Sequence, residues 1–154
     1  MNKAADPMDF EGIIAFAIAR EEDAAAGYGA LMDAAETPGL KALFRSLREH
    51  EREHKRLLEG LDPAGAGSLE PDAIEDLGLT DRLQSEPPNP GMSFQDALIF
   101  AARKEDRAAR LYAGLAKGAA RADHRSLFEL LAGQERAHKR ALEAEYEKRV
   151  LPEN

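Results

Sequence analysis

The chain carries nearly the same charged hexapeptide twice, and this repetition restricts the folds it can adopt. Glu51–Arg56 reads EREHKR, and Glu135–Arg140, 84 residues later, reads ERAHKR. Aligning residues 15–59 with residues 99–143 without a gap gives 18 identities in 45 positions. A charge run on a solvated helix face would not require a second copy in register. The sequence therefore predicts the internal duplication of one structural unit.

The duplicated unit has the pattern of a helical hairpin. Apolar residues recur at helical spacing in four segments, and the first three open with a residue that can cap a helix: Asp6 or Asp9, Thr37 and Ser93. The four predicted helices run from near Pro7–Asp9 to about Glu36, from Thr37 to Gly60, from Ser93 to a point between Gly118 and Arg121, and from Asp123 to about Val150.

Between the two hairpins lies a Pro- and Gly-rich stretch, residues 61–92, that is too long for an ordinary loop. A crossover that runs the length of a bundle explains it. We therefore expect an all-α, ferritin-like four-helix bundle. One domain would span residues 1–154, with hairpin 1 at about 9–60, the crossover at about 61–92 and hairpin 2 at about 93–150.

Composition excludes several classes of function. The net charge of −8 argues against nucleic acid as a partner, because binding phosphates depends on clustered Lys and Arg. The chain has no cysteine, so it forms no disulfide and provides no thiolate for a metal or a nucleophile. It shows neither a secretory signal nor an apolar run of about 20 residues. We expect a soluble cytoplasmic protein without a membrane partner.

Each hairpin also carries two glutamates 30 residues apart, the second of which begins a Glu-x-x-His motif. Counted from the turn at about 1.5 Å per residue, the two carboxylates of a hairpin reach nearly the same height. At 100° per residue, all of these side chains fall on the apolar, inward faces of their helices. Six residues should thus meet in the bundle core: Glu21, Glu51, His54, Glu105, Glu135 and His138.

Four buried carboxylates would repel one another strongly unless cations neutralised them. Two divalent ions balance four negative charges, and each ion would gain one neutral imidazole. One Glu from each of two helices, with Glu-x-x-His from the other two, is the ligand set of carboxylate-bridged di-metal proteins. Such oxygen-rich ligation suits iron or manganese, and zinc is compatible with it.

The pattern of Glu, then Tyr seven residues later, then Glu-x-x-His, repeated after a long crossover, resembles the rubrerythrin family of the ferritin-like superfamily. The resemblance covers both hairpins. It implies that the six residues are di-iron ligands, with Glu51 and Glu135 as the bridging pair. It also implies that Tyr28 and Tyr112 bond to ligand carboxylates, and that the chain forms a homodimer with two iron ions per chain.

By the same resemblance, the chain would be an oxidoreductase that reduces peroxide or dioxygen. It departs from the family in two ways. Without cysteines it has no rubredoxin-like iron centre, so an external electron donor would be needed, and Ala108 stands where most rubrerythrins have a further Glu. Three alternatives stay open: an iron-binding or ferroxidase protein for sequestration, a di-iron hydroxylase of a larger substrate, and a bundle that keeps the site without turnover.

Other polar residues receive a structural interpretation. His50 lies at the edge of its apolar stripe, with Gln134 as its counterpart, and is assigned to the surface or to an interface. His124 is expected to be structural or solvated. Glu22 and Asp106 follow the first glutamate of each hairpin and point about 100° away from it, so we expect carboxylates at the rim of the bundle or at a subunit interface.

Overall fold

The computed structural model describes residues 9–61 and 91–150, except for the side chain of Val150. Over these ranges the chain forms four helices: α1 (Phe10–Ala34), α2 (Pro38–Glu59), α3 (Phe94–Gly118) and α4 (Ala122–Val150). The predicted all-α, four-helix fold is confirmed. None of the described helices is long and apolar enough to span a lipid bilayer.

Local side-chain caps fix where three of the helices begin. The Asp9 carboxylate accepts a hydrogen bond from the backbone N–H of Gly12 at 2.7 Å. The hydroxyl of Thr37 accepts one from the N–H of Leu40 at 3.2 Å. The hydroxyl of Ser93 accepts one from the N–H of Asp96 at 3.1 Å. These bonds satisfy amide groups that would otherwise lack partners at a helix start. Asp6, the other candidate cap, lies outside the described residues.

The helix ends differ slightly from the prediction. Helix α1 stops at Ala34, two residues before Glu36, because Ala35 already has an extended backbone (φ −69°, ψ 134°). Helix α4 begins at Ala122, one residue before the expected start. Helix α2 runs from Pro38 at its first position to the predicted C-terminal cap, Gly60.

The core consists of two apolar clusters. The first joins the start of α1 to the ends of α2 and α3 and to the start of α4, through residues such as Phe10, Leu58, Leu115 and Phe128. The second joins the opposite ends of the same helices, through residues such as Tyr28, Phe44, Leu98 and Leu142. Full burial of each of these apolar side chains contributes roughly 1.5–3 kcal/mol to folding.

This arrangement determines the relative direction of the helices. Since the start of α1 packs beside the end of α3, the two helices are antiparallel and the two hairpin turns lie at opposite ends of the bundle. The chain leaves the first hairpin at Leu61, beside the first cluster, and enters the second at Phe94, beside the second cluster. The predicted crossover, of which residues 62–90 lie outside the described ranges, therefore joins opposite ends.

Candidate metal centre

The six residues selected from the sequence converge in one layer between the two apolar clusters. Helix α1 supplies one glutamate, α3 supplies another, and α2 and α4 each supply a Glu-x-x-His pair. All six are buried, with 0–4% of each residue exposed: Glu21, Glu51, His54, Glu105, Glu135 and His138. Their meeting point is as predicted, while their role as metal ligands stays a prediction.

The layer divides into two overlapping groups. One contains Glu21, Glu51, His54 and Glu135. The other contains Glu51, Glu105, Glu135 and His138. Within each group, one ligand atom per residue lies within 4.8 Å of all the others. Glu51 and Glu135 belong to both groups, so the geometry suits two neighbouring cations that share two carboxylates.

In the first group, the Nδ1 atom of His54 faces three carboxylates. It lies 3.2 Å from Oε1 of Glu135, 3.5 Å from Oε2 of Glu21 and 3.7 Å from Oε1 of Glu51. A cation placed among these four atoms would meet three oxygen ligands and one nitrogen.

In the second group, Nδ1 of His138 is placed in the same way. It lies 2.9 Å from Oε1 of Glu51, 3.2 Å from Oε1 of Glu135 and 3.5 Å from Oε2 of Glu105. The two groups are thus nearly symmetric copies, as expected for a duplicated hairpin.

The facing atoms share a second property. Within the described ranges each is buried and makes no hydrogen bond: Glu21 Oε2, Glu51 Oε1, His54 Nδ1, Glu105 Oε2, Glu135 Oε1 and His138 Nδ1. Buried polar atoms without a hydrogen bond are rare in native proteins and call for an explanation. Six of them directed at one small space fit a pair of divalent metal ions, which would satisfy them all.

Electrostatics in the metal-free layer favour bound protons. Burial, with the charges of Glu105 and Glu135, raises the pKa of Glu51 well above its usual value. Burial, with the charge of Glu135, raises the pKa of Glu105 to about 8. Burial would also raise the pKa of Glu135, but the adjacent His138 and His54 reverse that effect and lower it.

The two histidines show the complementary effect. Burial alone would lower the pKa of His54, but Glu135 and Glu21 beside it raise the value to about 10. Burial opposes protonation of His138 in the same way, and Glu105 and Glu135 raise its pKa to about 9. Because a metal ligand must be deprotonated, cations would have to displace these protons.

Two tyrosines hold the outer sides of the carboxylates. The hydroxyl of Tyr28 donates to Oε1 of Glu105, and that of Tyr112 donates to Oε1 of Glu21, both at 2.5 Å. Burial raises the pKa of both phenols, so they remain neutral donors. Each tyrosine reaches the glutamate of the other hairpin and leaves that residue's Oε2 atom facing the centre. Both were selected from the sequence, and the structure places both in contact with a predicted ligand.

Two further residues touch the layer, and neither was predicted to belong to the site. Nδ1 of His50 lies 3.0 Å from Nε2 of His138, and Oε1 of Gln134 lies 2.5 Å from Nε2 of His54. His50 is exposed, as expected, but its ring also lies parallel to that of His138. The available signal was that His50 and Gln134 occupy equivalent positions in the duplication, each four residues before a predicted histidine ligand.

The remaining candidates take structural roles. Glu22 pairs with Lys55 at 2.9 Å, and Asp106 pairs with Arg110 at 2.8 Å and with Lys139 at 3.2 Å, so both belong to surface ion pairs.

His124 is structural rather than solvated. It is only 2% exposed, stacks on Phe10 with ring centroids 5.4 Å apart and meets Phe128 edge to face.

Two adjoining cavities lie between α1 and α3. The first, of about 250 Å³, is lined by all four central glutamates and by Ala24 and Ala108. The second, of about 450 Å³, is mostly apolar and contacts the centre at Glu105 and Tyr28. Lys104 lines both cavities and pairs with Asp23 of α1 at 2.7 Å.

The rubrerythrin family model matches residues 12–73 of the chain. That range contains all of α2, most of α1 and the first three predicted ligands, so the resemblance drawn from the motifs is confirmed there. Comparison with curated proteins and with solved structures gave no match. The second hairpin lies outside the matched range and is connected to the first by the internal duplication and by the shared centre.

Proposed function

We propose that this rubrerythrin-like chain binds two iron ions and works as an oxidoreductase that reduces peroxide or dioxygen. The observation that carries the proposal is the set of six buried ligand atoms without hydrogen bonds. Four carboxylates and two neutral imidazoles balance two divalent ions in charge, and the donor set suits iron or manganese, with zinc also compatible. When bound, a ferrous pair supplies the two electrons needed to reduce the O–O bond of peroxide.

Several side chains of the protein would hold the two ions, orient the carboxylates and exclude water. Glu51 and Glu135 would lie between the two ions, since both groups contain them. Tyr28 and Tyr112 donate hydrogen bonds to the outer oxygens of the other two glutamates, so the inner oxygens of these glutamates would be free to hold the ions. Apolar clusters on either side of the layer exclude bulk water, which strengthens every electrostatic interaction within it.

The first cavity supports a small substrate. Its volume of about 250 Å³ has room for peroxide or dioxygen, and it contacts all four glutamates. Arg20 donates a hydrogen bond to the backbone carbonyl of Lys104 at 3.0 Å, and Lys104 pairs with Asp23, so this wall is tied across α1 and α3. We propose this cavity as the place where the oxidant reaches the ions.

The composition of the chain supports the remaining parts of the proposal. With no cysteine, the chain provides no rubredoxin-like centre, so electrons would come from an external donor. We also propose a cytoplasmic homodimer without nucleic-acid or membrane partners. The net charge of −8 disfavours nucleic acid, and the homodimer rests on the resemblance.

The second cavity favours one alternative, hydroxylation of an apolar organic substrate. It is lined by side chains such as Leu31, Met92 and Phe100 and reaches Glu105. At about 450 Å³ it falls within the usual size range of small-molecule sites. An apolar substrate bound there would lie beside the ligand layer.

The test begins with the metal content of the purified protein, followed by anaerobic loading with ferrous iron. Peroxide and dioxygen are then added separately, while the near-ultraviolet absorption of an oxidised iron pair is followed. Two irons per chain, oxidised faster by peroxide and turning over with a donor, support the proposal. Preference for dioxygen together with product from an apolar substrate supports the hydroxylase, and oxidation that stops after two ions without turnover supports sequestration.

A cavity variant tests the route of the oxidant. Ala108→Leu fills space in the first cavity, and we expect slower oxidation by peroxide with two irons still bound. Ala42→Leu is the matched control, because Ala42 is exposed on α2 away from the cavity. Equal oxidation rates in both variants would reject this route.

A further inference from the structure

His54 and His138 each use one ring nitrogen to face the carboxylates and the other to contact a residue of the opposite hairpin. Nε2 of His54, on α2, meets Oε1 of Gln134, on α4, at 2.5 Å. Nε2 of His138, on α4, meets Nδ1 of His50, on α2, at 3.0 Å. The two contacts are reciprocal, since each helix supplies one imidazole and one outer partner.

The chemistry of the outer partners determines which nitrogen carries the proton. An amide oxygen only accepts hydrogen bonds, so Nε2 of His54 must be the donor in its contact with Gln134. A neutral imidazole protonated at Nε2 has its lone pair at Nδ1, the buried atom that faces Glu21, Glu51 and Glu135. Once the proton on Nδ1 is displaced, His54 in this tautomer can bind a cation through that atom.

The second imidazole is held by different chemistry. When Nδ1 of His50 accepts from Nε2 of His138, the lone pair of His138 is likewise left at Nδ1. The two rings are parallel to within 2° with centroids 5.1 Å apart, which fixes the plane of the inner ring as well as its tautomer. One hairpin thus uses a half-buried amide for this task, and the other uses an exposed imidazole.

We infer that Gln134 and His50 are positioning residues of the di-metal centre. Each holds a metal-binding imidazole of the opposite hairpin in the Nε2–H tautomer, with Nδ1 directed at one ion. The inference rests on the proposed metal site and adds that each ion depends on a different outer partner. Gln134 supports the ion beside Glu21, and His50 supports the ion beside Glu105.

Residues that orient metal-binding histidines usually contribute a factor of about 10–100 to metal affinity. Gln134→Leu keeps the approximate size of the side chain and removes the acceptor, so it should lower the affinity for one of the two ions by about that factor. His50→Leu should lower the affinity for the other ion in the same way. The exchanges Gln134→His and His50→Gln place the other hairpin's residue at the same position and should restore most of the affinity, because both can accept the bond.

The experiment is a titration of the full chain with Co²⁺, followed by its visible absorption and by proton NMR. Co²⁺ shifts the exchangeable N–H protons of bound imidazoles far from the other signals. The parent protein should bind two ions and show two slowly exchanging N–H signals. Each Leu variant should lose one signal, a different one in each case, and each exchange variant should recover it. Urea unfolding of the metal-free variants shows whether they remain folded.

The outcomes separate this inference from the proposed function. If the parent protein binds no stoichiometric Co²⁺, the metal site itself is wrong and the inference falls with it. If the parent binds two ions and the Leu variants keep both signals and both affinities, the metal site stands and the positioning roles are rejected. If either Leu variant weakens both ions equally and the exchanges do not rescue it, the effect is general destabilisation and the inference is also rejected.

Discussion

Replacing Glu105 by Gln separates the energetic cost of burying a carboxylate from its value as a ligand. Glu105 is 2% exposed, and burial with the charge of Glu135 raises its pKa from the ordinary 4.5 to about 8. Gln has nearly the same size, cannot ionise and keeps the Oε1 atom that accepts the hydrogen bond of Tyr28. In the metal-free protein the substitution should therefore stabilise the fold wherever Glu105 would be charged.

The sign and size of the effect follow from linkage. A pKa that is higher in the folded than in the unfolded state means that the folded state holds the proton more tightly, so stability is lost as pH rises from about 4.5 to about 8. Each unit of pKa corresponds to about 1.36 kcal/mol, so the loss approaches about 5 kcal/mol above pH 8. Relative to the parent protein, Glu105→Gln should gain almost nothing at pH 4.5 and as much as about 5 kcal/mol at pH 9.

The assay is urea unfolding in the presence of a chelator at pH 5, 7 and 9, combined with metal analysis after loading with ferrous iron. Asp106→Asn is the matched control, since this neighbouring carboxylate pairs with Lys139 at the surface. The Gln variant should be the more stable metal-free protein and should lose the ion beside Glu105. A gain that is equal at all three pH values would refute burial as the cause, and two ions still bound would refute the ligand assignment.

Three further substitutions test the rest of the site. Changing both Glu51 and Glu135 to Ala should abolish stoichiometric metal binding, and metal analysis that still finds two ions per chain would contradict the shared-ligand geometry. Tyr28→Phe removes the hydrogen bond to Glu105, which should cost about 1–3 kcal/mol in urea unfolding and weaken one ion in a metal titration. Leu58→Ala, at a fully buried position, should cost about 2–5 kcal/mol in the same unfolding assay and leave the number of bound ions unchanged.

Much of the fold could be predicted because its signals are local. The caps at Asp9, Thr37 and Ser93 act within three residues of the helix start, and the structure shows each bond. The end of α1 lies at Ala34 and not at the predicted Glu36, because the last turn of a helix depends on where the chain turns toward the next one.

The convergence of the six central residues was also predictable. Within one hairpin, the heights of Glu21 and Glu51 follow from the rise per residue and the position of the turn, and their directions follow from the apolar stripes. The duplication then repeats the argument for Glu105 and Glu135.

What the sequence by itself determined is thus the four helices, the two equivalent hairpins and the set of residues that face inward. Only the tertiary structure decided that Tyr28 reaches Glu105 rather than a residue of its own hairpin, that His50 and Gln134 contact the predicted histidine ligands, and that a cavity between α1 and α3 reaches the glutamates. The physical reason is that helical periodicity fixes the direction of a side chain relative to its own axis. The contacts between helices depend on how the axes pack and rotate against one another, which no local pattern contains.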